Sequence, residues 1–300
     1  MTNPFKRRKI LVTHNGAFHA DDVFACATLE IFLEKKNTSY KIIRSRNEAD
    51  FARGDFVFDV GGAYSPEKNI FDHHQRGGAG TRDNGVPYAA FGLVWKHFGR
   101  EIVLSDSIWK DIDEKFVTSI DAHDNGHRIY RELDLEIMPV EISNVVSFFN
   151  TTWKEDATTN DKNFLKMVEA AKIILLRLIQ RITDKLEGQV YVEESYENAR
   201  DKGVVVLEGN WSWQKVLKDK PDTVYVVYPS HIGNWHVQAI EEEMFKPRKP
   251  LPESWAGERD EKIAQITGVS DALFAHPKRF LAGAKSREGA IKLAKKALNS

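Results

Sequence analysis

The chain has 300 residues, and its length favours two domains over one. Because 42% of the residues are hydrophobic, the chain can bury a substantial core, which argues against a disordered protein. The formal net charge is −1, which excludes a general electrostatic attraction to nucleic acid and leaves a local patch or a bound metal as the source of any affinity for a polyanion. Cys26 is the only cysteine, which excludes an internal disulfide and a thiolate zinc site and indicates a reducing compartment.

The N-terminus is basic, with Lys6, Arg7, Arg8 and Lys9 in a row. It lacks the apolar stretch that a signal peptide or a membrane span needs. We expect a cytoplasmic protein without a membrane segment. A weak organelle-targeting signal is the alternative interpretation of this segment.

Predicted strands and helices alternate in the N-terminal half. The strands are predicted over residues 9–13, 40–44 and 55–60, and the helices over residues 22–36, 86–98 and 107–120. This alternation is typical of an α/β fold with a parallel sheet, in which ligands bind beyond the carboxyl ends of the strands. Polar segments at residues 14–22, 59–62 and 72–76 follow such ends, which predicts a binding site there.

The pattern changes after a long amphipathic segment. A helix is predicted from Asp161 to Leu186, with Gly188 as its stop. Further strands are predicted over residues 204–207, 223–228 and 235–240, and a helix over residues 286–298. We therefore expect a catalytic domain over residues 1–188 and a smaller α/β domain over residues 189–300.

Histidine and aspartate are concentrated near the predicted strand ends, and seven of the ten histidines precede residue 130. His14, His19, Asp21 and Asp22 follow the first strand, where a loop can direct several ligands at one point. The alternative role for Asp21 or Asp22 is to cap the helix that follows. Because the single cysteine leaves no sulfur ligand set, a metal here would bind imidazoles and carboxylates.

Three later segments add candidate ligands. Asp59 ends an apolar strand, where a carboxylate is costly to bury without a cation or several donors, although capping of the following Gly61–Gly62 turn is an alternative. Asp72, His73 and His74 are contiguous potential ligands. Asp121 lies near the end of a predicted helix, where the helix dipole disfavours an acid unless a positive charge is nearby.

The order of these motifs resembles that of the DHH phosphoesterase superfamily. Within this superfamily, the amino-acid sequences of the motifs resemble those of the melanocyte-proliferating-gene-1 family of exonucleases. The matching segments are THNGAFHAD from Thr13, DVGG from Asp59, FDHHQ from Phe71 and the residues from Asp121 to Gly126. The resemblance continues near the C-terminus in RKPLPE from Arg248 and SREGA from Ser286.

The resemblance implies two divalent cations that activate water for in-line attack on a phosphate. The first cation would bind His14, His19 and Asp59. The second would bind Asp21, Asp59, His73 and Asp121, so that Asp59 bridges the two. His19 stands where the superfamily usually has Asp. Mn²⁺ suits these ligands best, with Mg²⁺, Co²⁺ or Zn²⁺ as alternatives.

The resemblance also implies catalytic roles for Asp22, Asp72 and His74. Asp72 would orient His73 or His74, and His74 would contact the scissile phosphate. The second domain would supply substrate contacts, for which the candidates are Arg248, Lys249, His276, Lys285 and Arg287. Arg287 begins a predicted helix whose N-terminus could receive a phosphate. Solvated helix faces are the alternative for the lysines.

The favoured function, as the resemblance implies, is 3′–5′ exonuclease-like hydrolysis of single-stranded RNA or short oligonucleotides. Residues 245–300 carry 12 Lys and Arg against 6 Asp and Glu, which favours a polymeric substrate, whereas the nearly neutral whole chain favours a small one. One alternative is a phosphoesterase or pyrophosphatase acting on a small nucleotide, and another is a non-catalytic, metal-stabilised binding protein. The sequence leaves open the cleavage direction and whether the chain forms a homo-oligomer.

Overall fold

The computed structural model describes residues 7–130, 139–243 and 246–300. The chain divides into two compact units, one ending at Ile182 and the other beginning at Thr183. Lys6 of the basic N-terminal segment lies outside the described residues. No helix in the described ranges is both long and apolar enough to cross a membrane.

The first unit contains a five-stranded, mostly parallel sheet. Its strands are β1 (Lys9–Thr13), β2 (Tyr40–Arg44), β3 (Phe56–Phe58), β4 (Tyr64–Ser65) and β5 (Ile70–Phe71), in the order β2-β1-β3-β5-β4. Only β4, at the edge, is antiparallel to its neighbour. The predicted α/β class with a parallel sheet is confirmed. Since β1, β3 and β5 are adjacent and parallel, the residues that follow them meet at one edge of the sheet.

The helices of the first unit are α1 (Ala20–Lys35), α2 (Glu48–Phe51), α3 (Ala90–Val103), α4 (Asp106–Ile112), α5 (Thr118–Asp124) and α6 (Ile142–Ser147). A π-helical stretch, Asp113–Val117, joins α4 to α5. Helix α1 is apolar and is buried along nearly all of its length, packed against α3. Helix α3 begins later than predicted because residues before it form a turn, in which Arg82 N donates to Val86 O and Tyr88 N donates to Gly80 O.

Helix α7 (Thr159–Asn198) continues through Gly188, so the predicted stop at that residue is wrong. The reason lies in packing within the second unit. A Cβ atom on Gly188 would lie 3.2 Å from the Cβ atom of Trp211. The glycine therefore allows the helix to approach Trp211 closely, at the modest cost that glycine carries inside a helix.

The second unit contains another five-stranded sheet. Its strands are β6 (Val204–Val206), β7 (Tyr225–Pro229), β8 (Trp235–Ala239), β11 (Ala272–Ala275) and β12 (Leu281–Ala284), in the order β11-β12-β8-β7-β6, and a separate pair consists of β9 (Glu241–Glu243) and β10 (Lys246–Pro247). The helices are α8 (Gln214–Lys218), α9 (Asp260–Thr267) and α10 (Arg287–Leu298). Small residues of α10, such as Ala290 and Ala294, are fully buried against the sheet.

Candidate metal centre

The first part of the site is built where β1 and β3 end. His14 follows β1 and is buried, with its Nε2 atom 3.2 Å from Asp22 Oδ2 and 3.1 Å from Asp59 Oδ2. Asp22 is brought there by the first turn of α1, where its Oδ1 also accepts a hydrogen bond from His19 N at 3.0 Å. Asp22 therefore supports the helix N-terminus and contacts His14 at the same time.

Asp59 lies at the centre of the site and has an unusual backbone. Its φ angle is +53°, a left-handed conformation that Asp tolerates better than most residues. Its N–H donates to Phe71 O at 3.1 Å, which ties it to β5. The carboxylate is almost completely buried, so the sharp turn at the end of β3 places a charge inside the protein.

His73, which follows β5, connects Asp59 to two further carboxylates. Its Nε2 atom lies 3.4 Å from Asp59 Oδ1, 3.2 Å from Asp124 Oδ2 and 3.8 Å from Asp21 Oδ2. We refer to His14, Asp21, Asp22, Asp59, His73 and Asp124 as the acid–imidazole cluster. His19 borders the cluster, with Nδ1 3.9 Å from Asp124 Oδ1 and 60% of its side chain exposed.

Asp72 and His74 form a second arrangement beside the cluster. Asp72 Oδ2 accepts from Gly62 N at 2.6 Å, while Asp72 Oδ1 lies 2.8 Å from His74 Nδ1. Of the two imidazoles that Asp72 was predicted to orient, the structure places His74 against its carboxylate. Asp72 thus fixes one ring nitrogen of His74, whose side chain is 63% exposed.

The cluster concentrates negative charge in a buried place. Burial, together with the charges of Asp59 and Asp124, raises the pKa of Asp21 well above its ordinary value. Burial alone would lower the pKa of His14 and raise that of Asp59. Contacts with Asp22 and Asp59 outweigh burial for His14, whose pKa rises to about 10, and contacts with His14 and His73 outweigh it for Asp59, whose pKa falls to about 2. The cluster thus attracts positive charge strongly.

The polar atoms of the cluster are not all satisfied by hydrogen bonds. Asp21 Oδ1, Asp22 Oδ2, Asp59 Oδ1 and His73 Nε2 are buried without an aligned hydrogen-bond partner, although ion-pair distances to neighbours are short. Such atoms are costly to bury unless something else binds them. Among the described residues, four triplets offer ligand atoms that lie within 4.8 Å of one another, and Asp59 belongs to three of these triplets. The donor set therefore fits divalent cations with Asp59 in a shared position.

The structure places Asp121 outside the cluster, which corrects its predicted position among the ligands. Its Oδ2 lies 2.6 Å from Arg82 Nη1, and its Oδ1 accepts from Gly92 N at 3.0 Å. Burial outweighs the effect of Arg82 and raises the pKa of Asp121 to about 7. Asp124, one turn later on α5, lies in the cluster instead, 3.2 Å from His73 Nε2. The sequence signal for it was present, since it belongs to the same motif.

The predicted substrate contacts of the second unit have other partners in the structure. The Arg248 guanidinium binds backbone carbonyls, including Lys218 O at 2.5 Å and Thr223 O at 2.9 Å. Lys249 Nζ donates to Leu298 O at 2.7 Å. These contacts place Arg248 and Lys249 in the packing of the unit around α8 and α10.

The remaining predicted contacts surround the start of α10 and β12. His276 Nδ1 accepts from Lys278 N at 3.1 Å, and Lys285 is exposed. Arg287 Nη2 lies 2.6 Å from Glu208 Oε1. Asp271 Oδ2 accepts from Ser286 N at 2.8 Å, so a carboxylate occupies the helix N-terminus that was predicted to receive a phosphate.

Comparison with known proteins is consistent with the motifs. The structure of exonuclease RecJ bound to manganese is 13% identical, with a TM-score of 0.30, and the match covers 98% of this chain and 91% of that chain. MYG1 exonuclease of Mus musculus is 30% identical, over 95% of this chain and 84% of the relative. The MYG1 protein of Dictyostelium discoideum is 32% identical, over 96% of each chain. A family model, MYG1_exonuc, described as an uncharacterised protein family (UPF0160), matches residues 10–298. Because this match covers nearly the whole chain, the protein belongs to the MYG1 family, as the resemblance of its motifs indicated.

Proposed function

We propose that this protein is a metal-dependent phosphodiester hydrolase of the exonuclease type, with the acid–imidazole cluster as its catalytic centre. Relatives over nearly the whole chain are named exonucleases. The observation that carries the proposal is the convergence of buried, unpartnered ligand atoms on Asp59. The motif order supports a relationship to the DHH superfamily as part of the same proposal.

The structure supports two overlapping ligand sets. One set consists of His14, His19 and Asp59. The other joins Asp21, Asp59, His73 and Asp124, whose carboxylate oxygens lie within 3.8 Å of His73 Nε2. When bound, divalent cations would supply Lewis acidity that activates water and neutralises negative charge developing on the phosphate. Oxygen and imidazole ligands without sulfur suit Mn²⁺, with Mg²⁺, Co²⁺ or Zn²⁺ as alternatives.

The surrounding residues have distinct roles in this proposal. Asp22 holds the His14 ring in place, and Asp72 holds the His74 ring through Nδ1. The contact with Asp72 raises the pKa of His74 and favours the protonated ring. In that form His74 donates Nδ1–H to Asp72 and can direct Nε2–H at a phosphate oxygen, where a positioned donor stabilises the charge of the transition state. Loss of one such donor typically reduces the rate by about 10²–10³-fold. We therefore expect His73→Ala to weaken metal binding, and His74→Ala to reduce turnover with metal still bound.

The substrate proposed is a single strand of RNA or a short oligonucleotide, cleaved from the 3′ end in the cytoplasm. The excess of Lys and Arg in residues 245–300 supports a polymer. A phosphoesterase or pyrophosphatase acting on a small nucleotide would use the same centre.

The test is product analysis with Mn²⁺. Single-stranded RNA labelled at its 5′ end is incubated beside a panel of small phosphoesters and pyrophosphate. We expect a ladder that shortens one nucleotide at a time and is abolished by Asp59→Asn. Hydrolysis of the small esters alone would replace the exonuclease proposal with the small-nucleotide alternative. Hydrolysis of neither by the metal-loaded protein would refute the proposed function.

A further inference from the structure

A cleft in the first unit opens beside the acid–imidazole cluster. Its volume is about 510 Å³, within the range of small-molecule sites, and it lies between the turn after α5 and the start of α6. Its walls include His123, His127, Val140, Glu141, Asn144 and Phe148. We call it the α6 cleft.

The α6 cleft adjoins the candidate metal centre. A second, smaller cavity of about 210 Å³ is lined by His19, Asp21 and Asp124, together with His123. His123 thus belongs to the walls of both cavities. Helix α6 also contributes to both, through Ser143 on the metal side and Asn144 in the cleft. The cleft and the cavity at the cluster are therefore neighbours that meet at His123.

The shared wall is held in a fixed orientation. His123 Nδ1 lies 2.6 Å from Glu141 Oε2, and Glu141 N donates to Asn144 Oδ1 at 2.9 Å. The contact between His123 and Glu141 joins the end of α5 to the start of α6. The wall that the two cavities share is therefore already ordered by this contact.

The far wall of the cleft is apolar and accessible. Phe148 is 70% exposed and Val140 is 71% exposed, although both are large hydrophobic residues. Exposed apolar surface at a concave site indicates a ligand with an apolar face. An aromatic ring beside a phosphodiesterase centre suits a nucleobase, because every base has a face that stacks on such a ring.

We propose that the α6 cleft binds the nucleoside next to the scissile phosphate, with its base stacked on Phe148. The inference rests on the proposed function, and it adds a substrate class: strands that carry bases, without preference for one base. His123, in the wall that the two cavities share, would lie between the phosphate at the metal centre and the base in the cleft. Stacking on one aromatic side chain tolerates any sequence.

The proposal is tested by equilibrium binding, independently of hydrolysis. Fluorescence anisotropy measures the Kd of a labelled strand of five thymidines and of a matched strand of five abasic residues, for the full chain with Ca²⁺ present. Phe148→Ala is expected to raise the Kd of the thymidine strand about 10-fold and to leave that of the abasic strand unchanged. Phe148→Tyr should bind both strands as the wild type does.

Trp153→Ala is the matched control, because Trp153 is an aromatic residue that is 89% exposed and lies outside the cleft lining. It should leave both Kd values unchanged. Equal affinity of the wild type and Phe148→Ala for the thymidine strand would overturn the proposal. The proposal would also be overturned if Phe148→Ala changed the oligomeric state, measured by sedimentation, and altered the Kd of both strands equally. Base-dependent binding without hydrolysis in Mn²⁺ would support the cleft and refute the catalytic function.

Discussion

The side chain of Asn150 binds the backbone of Phe18 through both of its polar atoms. Phe18 N donates to Asn150 Oδ1 at 2.8 Å, and Asn150 Nδ2 donates to Phe18 O at 2.8 Å, so the amide pairs with this residue much as a neighbouring strand would. Two other side chains hold the same loop, since Arg44 Nη2 donates to Gly16 O at 2.8 Å and Asn160 Nδ2 donates to it at 2.5 Å. The loop between His14 and His19 is thus fixed from outside the cluster.

Loss of the Asn150 amide should loosen this loop and weaken metal binding. Residues that orient ligands typically affect metal affinity by about 10–100-fold, so Asn150→Ala is expected to lower Mn²⁺ affinity by about 10-fold, as measured by calorimetry. The control is Asn163→Ala, because the Asn163 amide donates to Phe149 O at 3.0 Å, away from the loop. Unchanged Mn²⁺ affinity in Asn150→Ala, with lowered thermal stability, would show that the amide serves folding alone.

Asp59 is expected to matter for every bound cation, because it belongs to three of the four ligand triplets. Asp59→Asn should therefore remove binding of both cations together. His14→Ala should weaken mainly one of them, since His14 belongs to one triplet. Calorimetric titration with Mn²⁺ gives both the number of sites and their affinities. Two cations bound at wild-type affinity by Asp59→Asn would contradict the shared position of Asp59.

Substitutions of Asp121 and Asp124 should differ in their effects on Mn²⁺ affinity and on the free energy of unfolding. Asp124→Asn removes a charged oxygen 3.2 Å from His73 Nε2 and should lower Mn²⁺ affinity with little effect on stability. Asp121→Asn weakens a buried pair with Arg82, which keeps Asp113 as a partner, and is expected to lower the free energy of unfolding by about 1.5 kcal/mol with little effect on Mn²⁺ affinity. Urea unfolding and Mn²⁺ titration of both variants provide the measurement. The opposite pattern would restore Asp121 as the ligand.

The two aspartates show which features of the site could not be predicted from the sequence. Strands β1 and β2 have the predicted bounds, because their apolar runs are short and clearly ended. The cluster itself follows from the rule that parallel strands place their carboxyl ends together. The choice between Asp121 and Asp124 depends instead on Arg82, which lies in a loop without periodicity. Gly188 is similar, since only packing against Trp211 explains a glycine inside α7.

Arg248 is expected to stabilise the second unit, because its guanidinium binds several carbonyls at the end of α8 and in the loop after it. Besides Lys218 O and Thr223 O, Nη1 donates to Lys220 O at 2.5 Å. Hydrogen bonds from a charged group contribute about 1.5–3 kcal/mol, so Arg248→Ala should lower the free energy of unfolding by about 3 kcal/mol. Urea unfolding followed by tryptophan fluorescence measures it.

Arg248→Lys is the informative comparison, because an ammonium group lacks the planar set of donors. We expect it to recover only a small part of the stability. If Arg248→Ala instead unfolds like the wild type and raises the KM for oligonucleotides alone, the residue contacts substrate.

Asp271 should make the stability of the second unit depend on pH. Its Oδ2 accepts from Ser286 N and, at 2.5 Å, from Ser286 Oγ, while Ser286 Oγ accepts from Gly289 N at 3.0 Å. Burial opposes ionisation, but these bonds outweigh it and lower the pKa of Asp271 below its ordinary value. A carboxylate whose pKa is lowered by folding adds stability above its unfolded pKa of about 4, and this is lost as the pH falls through the folded pKa.

Asp271→Asn should therefore lower the free energy of unfolding by about 1 kcal/mol at pH 7 and by progressively less below pH 4. Urea unfolding of the wild type and the variant across this range tests the sign, with the exposed Asp219→Asn as control. If the free energies of unfolding of the wild type and Asp271→Asn differ by the same amount down to pH 2, the Asp271 side chain stabilises α10 by its shape and not by its charge.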